Sequence, residues 1–200
     1  VCFSDLGNTV YCVDKDKKKI DSLNNGIIPI YEPGLEEILK RNYKANRLIF
    51  TTDFKKAVSN SDVIFICVGT PTKRNSNSAN LKYVFDVAHQ LKKTISKYKI
   101  IVTKSTVPIT TGDKIEKILK RLKNKKLVDV VSNPEFLREG EAIRDFIYPD
   151  RVVVGTSSKR ANRTLKSLYM PIIKNLYSPL VSKGAKYMST NRRSAELIKY

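Results

Sequence analysis

The sequence predicts an α/β fold built on a mainly parallel sheet. Three observations predict it. Short β-rich apolar runs recur along the chain, segments with helical spacing separate them, and one run, Val63-Ile64-Phe65-Ile66-Cys67-Val68, is apolar throughout. Alternating strands and helices are the pattern of strand–helix–strand units. An unbroken apolar run suits a parallel strand covered on both faces.

The elements follow in order. Residues 9–13 form the first expected strand, which ends at Asp14. Glu32-Pro33-Gly34 opens a helix, with Pro33 suited to the first helical position because the N–H it lacks has no partner there. Strands are expected at 48–51 and 63–68. Leu81, Val84, Phe85, Ala88, Leu91 and Ile95 then recur at the spacing of one helical face. After a strand at 100–103, Ile115, Ile118, Leu119 and Leu122 repeat that spacing. Strands at 128–131 and 151–155 complete the pattern. Late in the chain, Leu168-Tyr169-Met170-Pro171 is echoed by Leu176-Tyr177-Ser178-Pro179, each copy followed by two aliphatics and soon a lysine. Two copies over residues 168–183 are too short for a solenoid and read as a small duplication in a surface helix–loop.

Bulk properties narrow the function classes. A chain of 200 residues with 41% hydrophobic content suffices for one good core, or one domain and the start of another. No apolar run approaches the roughly 18 residues of a transmembrane helix, and Val1-Cys2-Phe3-Ser4-Asp5 is neither a secretory signal nor a basic targeting peptide. Cys2, Cys12, Cys67 and His89 have no metal-ligand spacing, so no metal site is expected. Sparse cysteines suit a reducing, cytoplasmic setting. Cys12 and Cys67 lie in apolar runs and read as small core residues. The net charge of +19 raises nucleic acid as a partner. The lysines instead recur on helix faces, as in Lys17-Lys18-Lys19 and Lys92-Lys93, with no RNA-binding aromatic signature and no zinc finger. A solvated basic surface is expected, whose long-range field can favour an anionic substrate.

Ligands in such sheets bind at the carboxyl ends of the strands, and four strand ends carry small or polar residues. Asp14 closes the first strand, where an acidic residue of a dinucleotide-binding unit accepts from the ribose hydroxyls and favours NAD over NADP. A strand-end turn would also account for it. A glycine fingerprint belongs about 20 residues earlier, and only 13 residues precede Asp14. Gly69-Thr70-Pro71-Thr72 follows the apolar strand, where small residues let a ligand approach the backbone. Lys104-Ser105-Thr106-Val107-Pro108 follows the next strand with two hydroxyls and an ammonium. Ser132-Asn133-Pro134-Glu135-Phe136-Leu137-Arg138-Glu139-Gly140 follows the one after. Glu135 and Glu139 are four apart, so a helix there would put both carboxylates on one face, either as an acid–base pair or as a solvated surface.

Taken together these strings resemble the UDP-glucose/GDP-mannose dehydrogenase family. The resemblance also rests on Pro29-Ile30-Tyr31-Glu32-Pro33-Gly34-Leu35, Tyr148-Pro149-Asp150-Arg151-Val152-Val153-Val154-Gly155 and Ser194-Ala195-Glu196-Leu197-Ile198-Lys199, so it spans nearly the whole chain. Asn133-Pro134-Glu135-Phe136-Leu137-Arg138-Glu139-Gly140 after Lys104-Ser105-Thr106-Val107-Pro108 is highly specific. The string around Pro149-Asp150-Arg151 resembles the UDP-glucose branch more than the GDP-mannose branch.

The resemblance implies a Rossmann-like, doubly wound domain over residues 1–185 and the start of a central helical region over 186–200. It implies NAD-dependent oxidation of the C6 alcohol of UDP-glucose to a carboxylate, by two hydride transfers through a cysteine thioester. GDP-mannose or a UDP-N-acetyl-sugar is the alternative substrate, and a basic, non-catalytic remnant is the alternative of another class. Residue by residue, Asp14, Lys19, Val68, Gly69, Thr70, Pro71, Thr72, Ser105, Thr106 and Glu139 would line the NAD site. Glu135, Phe136, Leu137, Arg138, Glu139 and Lys199 would meet the sugar nucleotide. Thr106, Glu135 and Lys199 would act in catalysis, Thr106 by placing a water, Glu135 by assisting proton transfer or thioester hydrolysis, and Lys199 by stabilising oxyanions. The family's glycine loop and first strand are expected before residue 1. Its nucleophilic cysteine is expected after residue 200, and Cys2, Cys12 and Cys67 do not match it. The full-length protein is expected to be a homodimer or higher homo-oligomer.

Overall fold

The computed structural model describes residues 1–74, 76, 78–120, 127–176 and 184–199. Among them the elements run α1 (Cys2–Asp5), β1 (Val10–Val13), α2 (Lys17–Asn24), α3 (Leu35–Lys44), β2 (Leu48–Thr51), α4 (Phe54–Asn60) and β3 (Val63–Ile66). They continue with α5 (Lys82–Thr94), β4 (Lys99–Thr103), α6 (Thr111–Leu119), β5 (Val128–Ser132), α7 (Ala142–Ile147) and β6 (Arg151–Gly155). Last come α8 (Lys159–Leu168), α9 (Met170–Ile173), β7 (Lys186–Thr190) and α10 (Arg192–Ile198).

The strands form two sheets. β1 and β2 pair in parallel as a two-stranded sheet, and the other five lie in the order β3-β4-β5-β6-β7. Every pair in the larger sheet is parallel except β5–β6, which meet antiparallel at Ser132 and Gly155. The expected mainly parallel α/β architecture is therefore present.

Alternation along β4 explains why helices cover both faces. Ile101 points with Val130 into a core closed by Val84, Ala88 and Leu91 of α5 and Ile115 and Leu119 of α6. Ile100 and Val102 point the other way, with Val131, Val152 and Val154, against Ala161 and Leu165 of α8 and Ile172 of α9. Every residue of β4 is buried. The smaller sheet has its own core, in which Leu48 and Phe50 meet Ile20 of α2 and Leu39 of α3. The lysine-rich α2 starts at an Asp16 cap, whose side chain accepts from the Lys19 N–H.

Several local expectations need correction. Pro33 is not the first residue of a helix: α3 begins at Leu35, after Gly34 at φ +78°, a left-handed position that glycine occupies without a steric penalty. Residues 135–139 form no helix. Residues 186–190, expected to open the helical region, instead form β7, and the terminal helix starts at Arg192. Cys67 is exposed and is not a core residue, whereas Cys12 is half-buried against the core of the smaller sheet. Leu122 and the second repeat copy from Tyr177 to Lys183 lie outside the described residues. The first copy ends α8 and forms α9, with Tyr169 and Ile172 buried.

Candidate cofactor and active site

The site is built at the carboxyl ends of the parallel strands. At the end of β1, the Asp14 carboxylate accepts from Lys19 Nζ at 2.7 Å and from the Asp16 N–H at 3.0 Å. The Lys19 hydrogen bond, with help from the Asp16 amide, holds the Asp14 carboxyl below its usual range. The group is an anion at neutral pH, partly open to solvent. A carboxylate has about four lone-pair sites, so the group can still accept from a hydroxyl. That donor–acceptor chemistry fits the ribose of a dinucleotide.

Two loops from β3 and β4 are laced together beside it. Ser105 Oγ donates to the Val68 carbonyl at 2.7 Å, and Thr70 Oγ1 donates to the Thr106 carbonyl at 2.9 Å. The Lys104 and Ser105 N–H groups both donate to Ile66 O, at 3.0 and 3.1 Å. A Cβ built on Gly69 meets no atom within 4 Å, so this backbone faces open space. Pro71 and Thr72 are exposed alongside. Val68, Gly69, Thr70, Ser105 and Thr106 are thus brought together.

The third group follows β5. Asn133 is buried, with its amide donating to the Val153 carbonyl and its carbonyl accepting from the Tyr169 hydroxyl at 2.6 Å. Beyond it Glu135 is half-buried, and its backbone carbonyl accepts from Lys199 Nζ at 2.5 Å. Phe136 lies between two cations, with Arg151 5.0 Å and Lys199 5.7 Å from its ring centroid. Cation–π attraction orients both groups. Glu135, Phe136 and Lys199 therefore share one place in the fold, although 64 positions separate Glu135 from Lys199.

Arg138 and Glu139 lie farther along the same segment, and both are exposed. Arg138 is bound to Asp145 by its guanidinium and its backbone N–H, at 2.8 to 3.0 Å, and also bridges Glu141. Its hydrogen bonds hold the Asp145 carboxyl down at about 2. Glu139 is exposed, in a turn before Gly140 at φ +80°. The reason no helix forms here lies in who receives the N–H groups. Arg138 donates to Asp145, while Gly140 and Ala142 donate to the Glu32 carboxylate at 3.0 and 2.6 Å. Side chains replace the i−4 carbonyls that a helix would use. Leu137 is half-buried within this strap.

Sequence reasoning missed two contributors. Glu32 pins the strap from the Pro29–Gly34 string, and only its acidic type just before Pro33 hinted at a cap. Lys104 is half-buried just past β4, where burial lowers its pKa and the nearby Glu135 opposes that shift. Its place beside Ser105 and Thr106 was the available signal. Surrounding protein pushes the Cys67 thiol up to about 11, so it is a neutral thiol at pH 7.

Comparison with known proteins agrees with this geometry. The model of the UDP-glucose/GDP-mannose dehydrogenase family, NAD binding domain, matches residues 1–173. A UDP-glucose 6-dehydrogenase of Rhizobium meliloti is 48% identical over 202 residues, covering 100% of this chain and 44% of that protein. One from Bacillus subtilis is 43% identical, with 100% and 41% covered. Among solved structures, a GDP-mannose dehydrogenase ternary complex from Pseudomonas aeruginosa superposes with a TM-score of 0.89 at 37% identity, covering 100% of this chain and 44% of that one. A UDP-glucose dehydrogenase from Pyrobaculum islandicum gives 0.88 at 36%, with 99% and 44% covered. The chain spans less than half the length of these relatives. No helix among the described residues is long and apolar enough to cross a membrane.

Proposed function

Because the chain belongs to the UDP-glucose/GDP-mannose dehydrogenase family, we propose that it is the NAD-binding part of an enzyme that oxidises the C6 alcohol of UDP-glucose to a carboxylate. The observation that carries this reading is the meeting of Lys199 with Glu135 at 2.5 Å beside the laced Ser105–Thr106 loop. The reaction converts a CH2OH group, one water and two NAD+ into a carboxylate, two NADH and three protons. NAD supplies the hydride acceptor.

The chain's own residues do the rest. Asp14 accepts from the adenosine ribose hydroxyls, and Gly69 and Thr70 admit the cofactor close to the backbone. Thr106 places the water that ends the reaction. Glu135 takes a proton from that water or from the alcohol. Lys199 carries positive charge to the C6 oxygen as negative charge develops there, while Phe136 holds its ammonium. The cysteine that forms the thioester is assigned to the other part of the protein, since Cys2, Cys12 and Cys67 match no such string. The cofactor-binding unit extends through β7, and α10 opens the helical region that follows.

The test is an absorbance assay of NADH with the complete gene product, offered UDP-glucose, GDP-mannose and a UDP-N-acetyl-hexosamine. Two NADH per UDP-glucose, with little turnover of the others, is the expected result. The likeness to the GDP-mannose dehydrogenase makes the second sugar the alternative, and preferential use of it would replace the UDP-glucose assignment. Residues 1–200 alone should produce no NADH.

A further inference from the structure

α10 is docked on the larger sheet by contacts that the proposed chemistry does not use. Glu196 is 2% exposed, and its carboxylate reaches across 86 positions to the start of α6. Oε2 accepts from the Thr110 N–H at 2.7 Å, and Oε1 accepts from the Gly112 N–H at 2.6 Å. The first N–H groups of a helix have no intrahelical partner, and the Thr110 side chain provides no cap of its own. Glu196 therefore caps α6 from another element.

The capped turn is unusual in two ways. Thr110 stands at φ +74°, where a β-branched residue is strained. A Cβ on Gly112 would lie 3.0 Å from Glu196 Oε1 and 3.3 Å from Arg192 Cδ, so a side chain there would crowd the cap. Both features fit a turn shaped to receive the carboxylate. Arg192, one turn earlier on α10, adds bonds to Asp113 and Glu116 of α6 at 2.8 and 2.5 Å.

The two ends of this link matter. The chain just before Thr110 carries Thr106, whose carbonyl is bound by Thr70, then Val107, which is 3% exposed, then Pro108, whose carbonyl accepts from the Thr111 hydroxyl at 2.6 Å. Only Ile109, which is 40% exposed, separates Pro108 from the cap. Three residues after Glu196, on the same side of α10, Lys199 reaches the Glu135 carbonyl. We infer that Glu196 is a positioning residue, which locks the helix bearing Lys199 to the loop bearing Thr106 and so sets the distance between those two groups. The inference rests on the proposed function for the roles of Lys199 and Thr106, but the link itself is independent of that reading.

Glu196→Gln in the complete protein tests it. Glutamine keeps the size but offers one carbonyl oxygen to two N–H donors and turns an NH2 against the other. Misplacing a catalytic group by about 1 Å can cost about 100-fold. The expected result is a kcat for UDP-glucose lower by about 10- to 100-fold, with KM for both substrates within about twofold. The rate of Lys199 acylation by an amine-selective reagent at one fixed pH, read by mass spectrometry, should also rise as its contact with the Glu135 carbonyl loosens. Ile172→Val, in the α8–α9 core, serves as a control for lost stability and should leave kcat and that rate unchanged. A kcat retained in Glu196→Gln, or lost equally in Ile172→Val, overturns the inference. Should the wild-type protein oxidise no sugar nucleotide, the proposed function fails and the acylation rate decides alone. A faster rate confined to Glu196→Gln then sustains the link, and an unchanged rate overturns it.

Discussion

Asp14 and Lys19 lie 2.7 Å apart at the end of β1, and in the proposed NAD site this pair meets the adenosine end of the cofactor. An ionised Asp14 accepts from ribose hydroxyls and repels a 2′-phosphate. Asp14→Asn removes that anion and frees the Lys19 ammonium, which favours a phosphate. A hydrogen bond to a charged group contributes about 1.5–3 kcal/mol, so the Kd for NAD should rise by about 10- to 100-fold. The Kd for NADP should rise less or fall. Fluorescence titration of both cofactors on the complete protein checks this, and an unchanged NAD/NADP ratio would remove Asp14 from the site. Asp145 makes a separate expectation about charge. Its carboxyl titrates at about 2 because Arg138 binds it, whereas an unfolded Asp titrates near ~3.9. A depressed carboxylate contributes stability above the unfolded value, and that contribution is lost as pH falls through about 2. An NMR titration should find the low midpoint in the wild-type chain and a higher one in Arg138→Gln, still below ~3.9 because the backbone N–H of residue 138 remains.

The strands and long helices were legible because their burial is periodic, as in Val84, Ala88 and Leu91, which are all fully buried. β7 was not legible. Lys186-Tyr187-Met188-Ser189-Thr190 is an edge strand with no buried residue, so its sequence carries no apolar alternation. The strap after β5 was misread for another reason. The spacing of Glu135 and Glu139 is a local signal, but Glu32, more than 100 positions away, receives the N–H groups that decide the backbone. Site residues named by motif were found near one another where strand ends converge. Arg138 and Glu139 share the motif and are exposed on the strap. The docking of α10 rests on a residue whose role no local pattern reveals. Gly155 lies under α10, and a Cβ there would come within 2.4 Å of Ala195 Cβ and 2.7 Å of the Asn191 carbonyl. Gly155→Ala must push the helix off β6. Overpacking of this kind costs about 1–3 kcal/mol, so thermal unfolding should show a lower Tm. Lys199 should lose its contact with Glu135, seen as faster acylation. A variant with wild-type Tm would mean that α10 does not pack as closely as Gly155 allows.

The division of the strands into two sheets carries the last expectation. Among the described residues β1 pairs only with β2, and β3 only with β4, so each presents an unpaired edge. Val10, Tyr11, Cys12, Val63, Ile64 and Phe65 are half-buried despite their apolar character, while all of β4 is buried. Helix α1 spans the two units. Val1 packs with Val10 and Cys12, and Phe3 packs with Phe65, Phe146 and Tyr169 at ring centroids 5.0, 5.1 and 5.2 Å apart. A dinucleotide-binding sheet places its first strand where the strand order reverses, and the resemblance expects that strand and its glycine loop before residue 1. We propose that such a strand pairs with β1 on one side and β3 on the other, joining the two sheets into one. Its loop would then lead into α1, between Asp14 and the Gly69 backbone. Hydrogen exchange separates the possibilities. In residues 1–200 the edge amides of β1 and β3 should exchange quickly, because no ladder protects them. In a chain extended upstream through the glycine loop, the same amides should slow together and Tm should rise. NAD affinity should rise with them, since the loop brings amide donors to the pyrophosphate. Slowing in β1 but not β3 would mean that the added strand extends the small sheet without closing the large one.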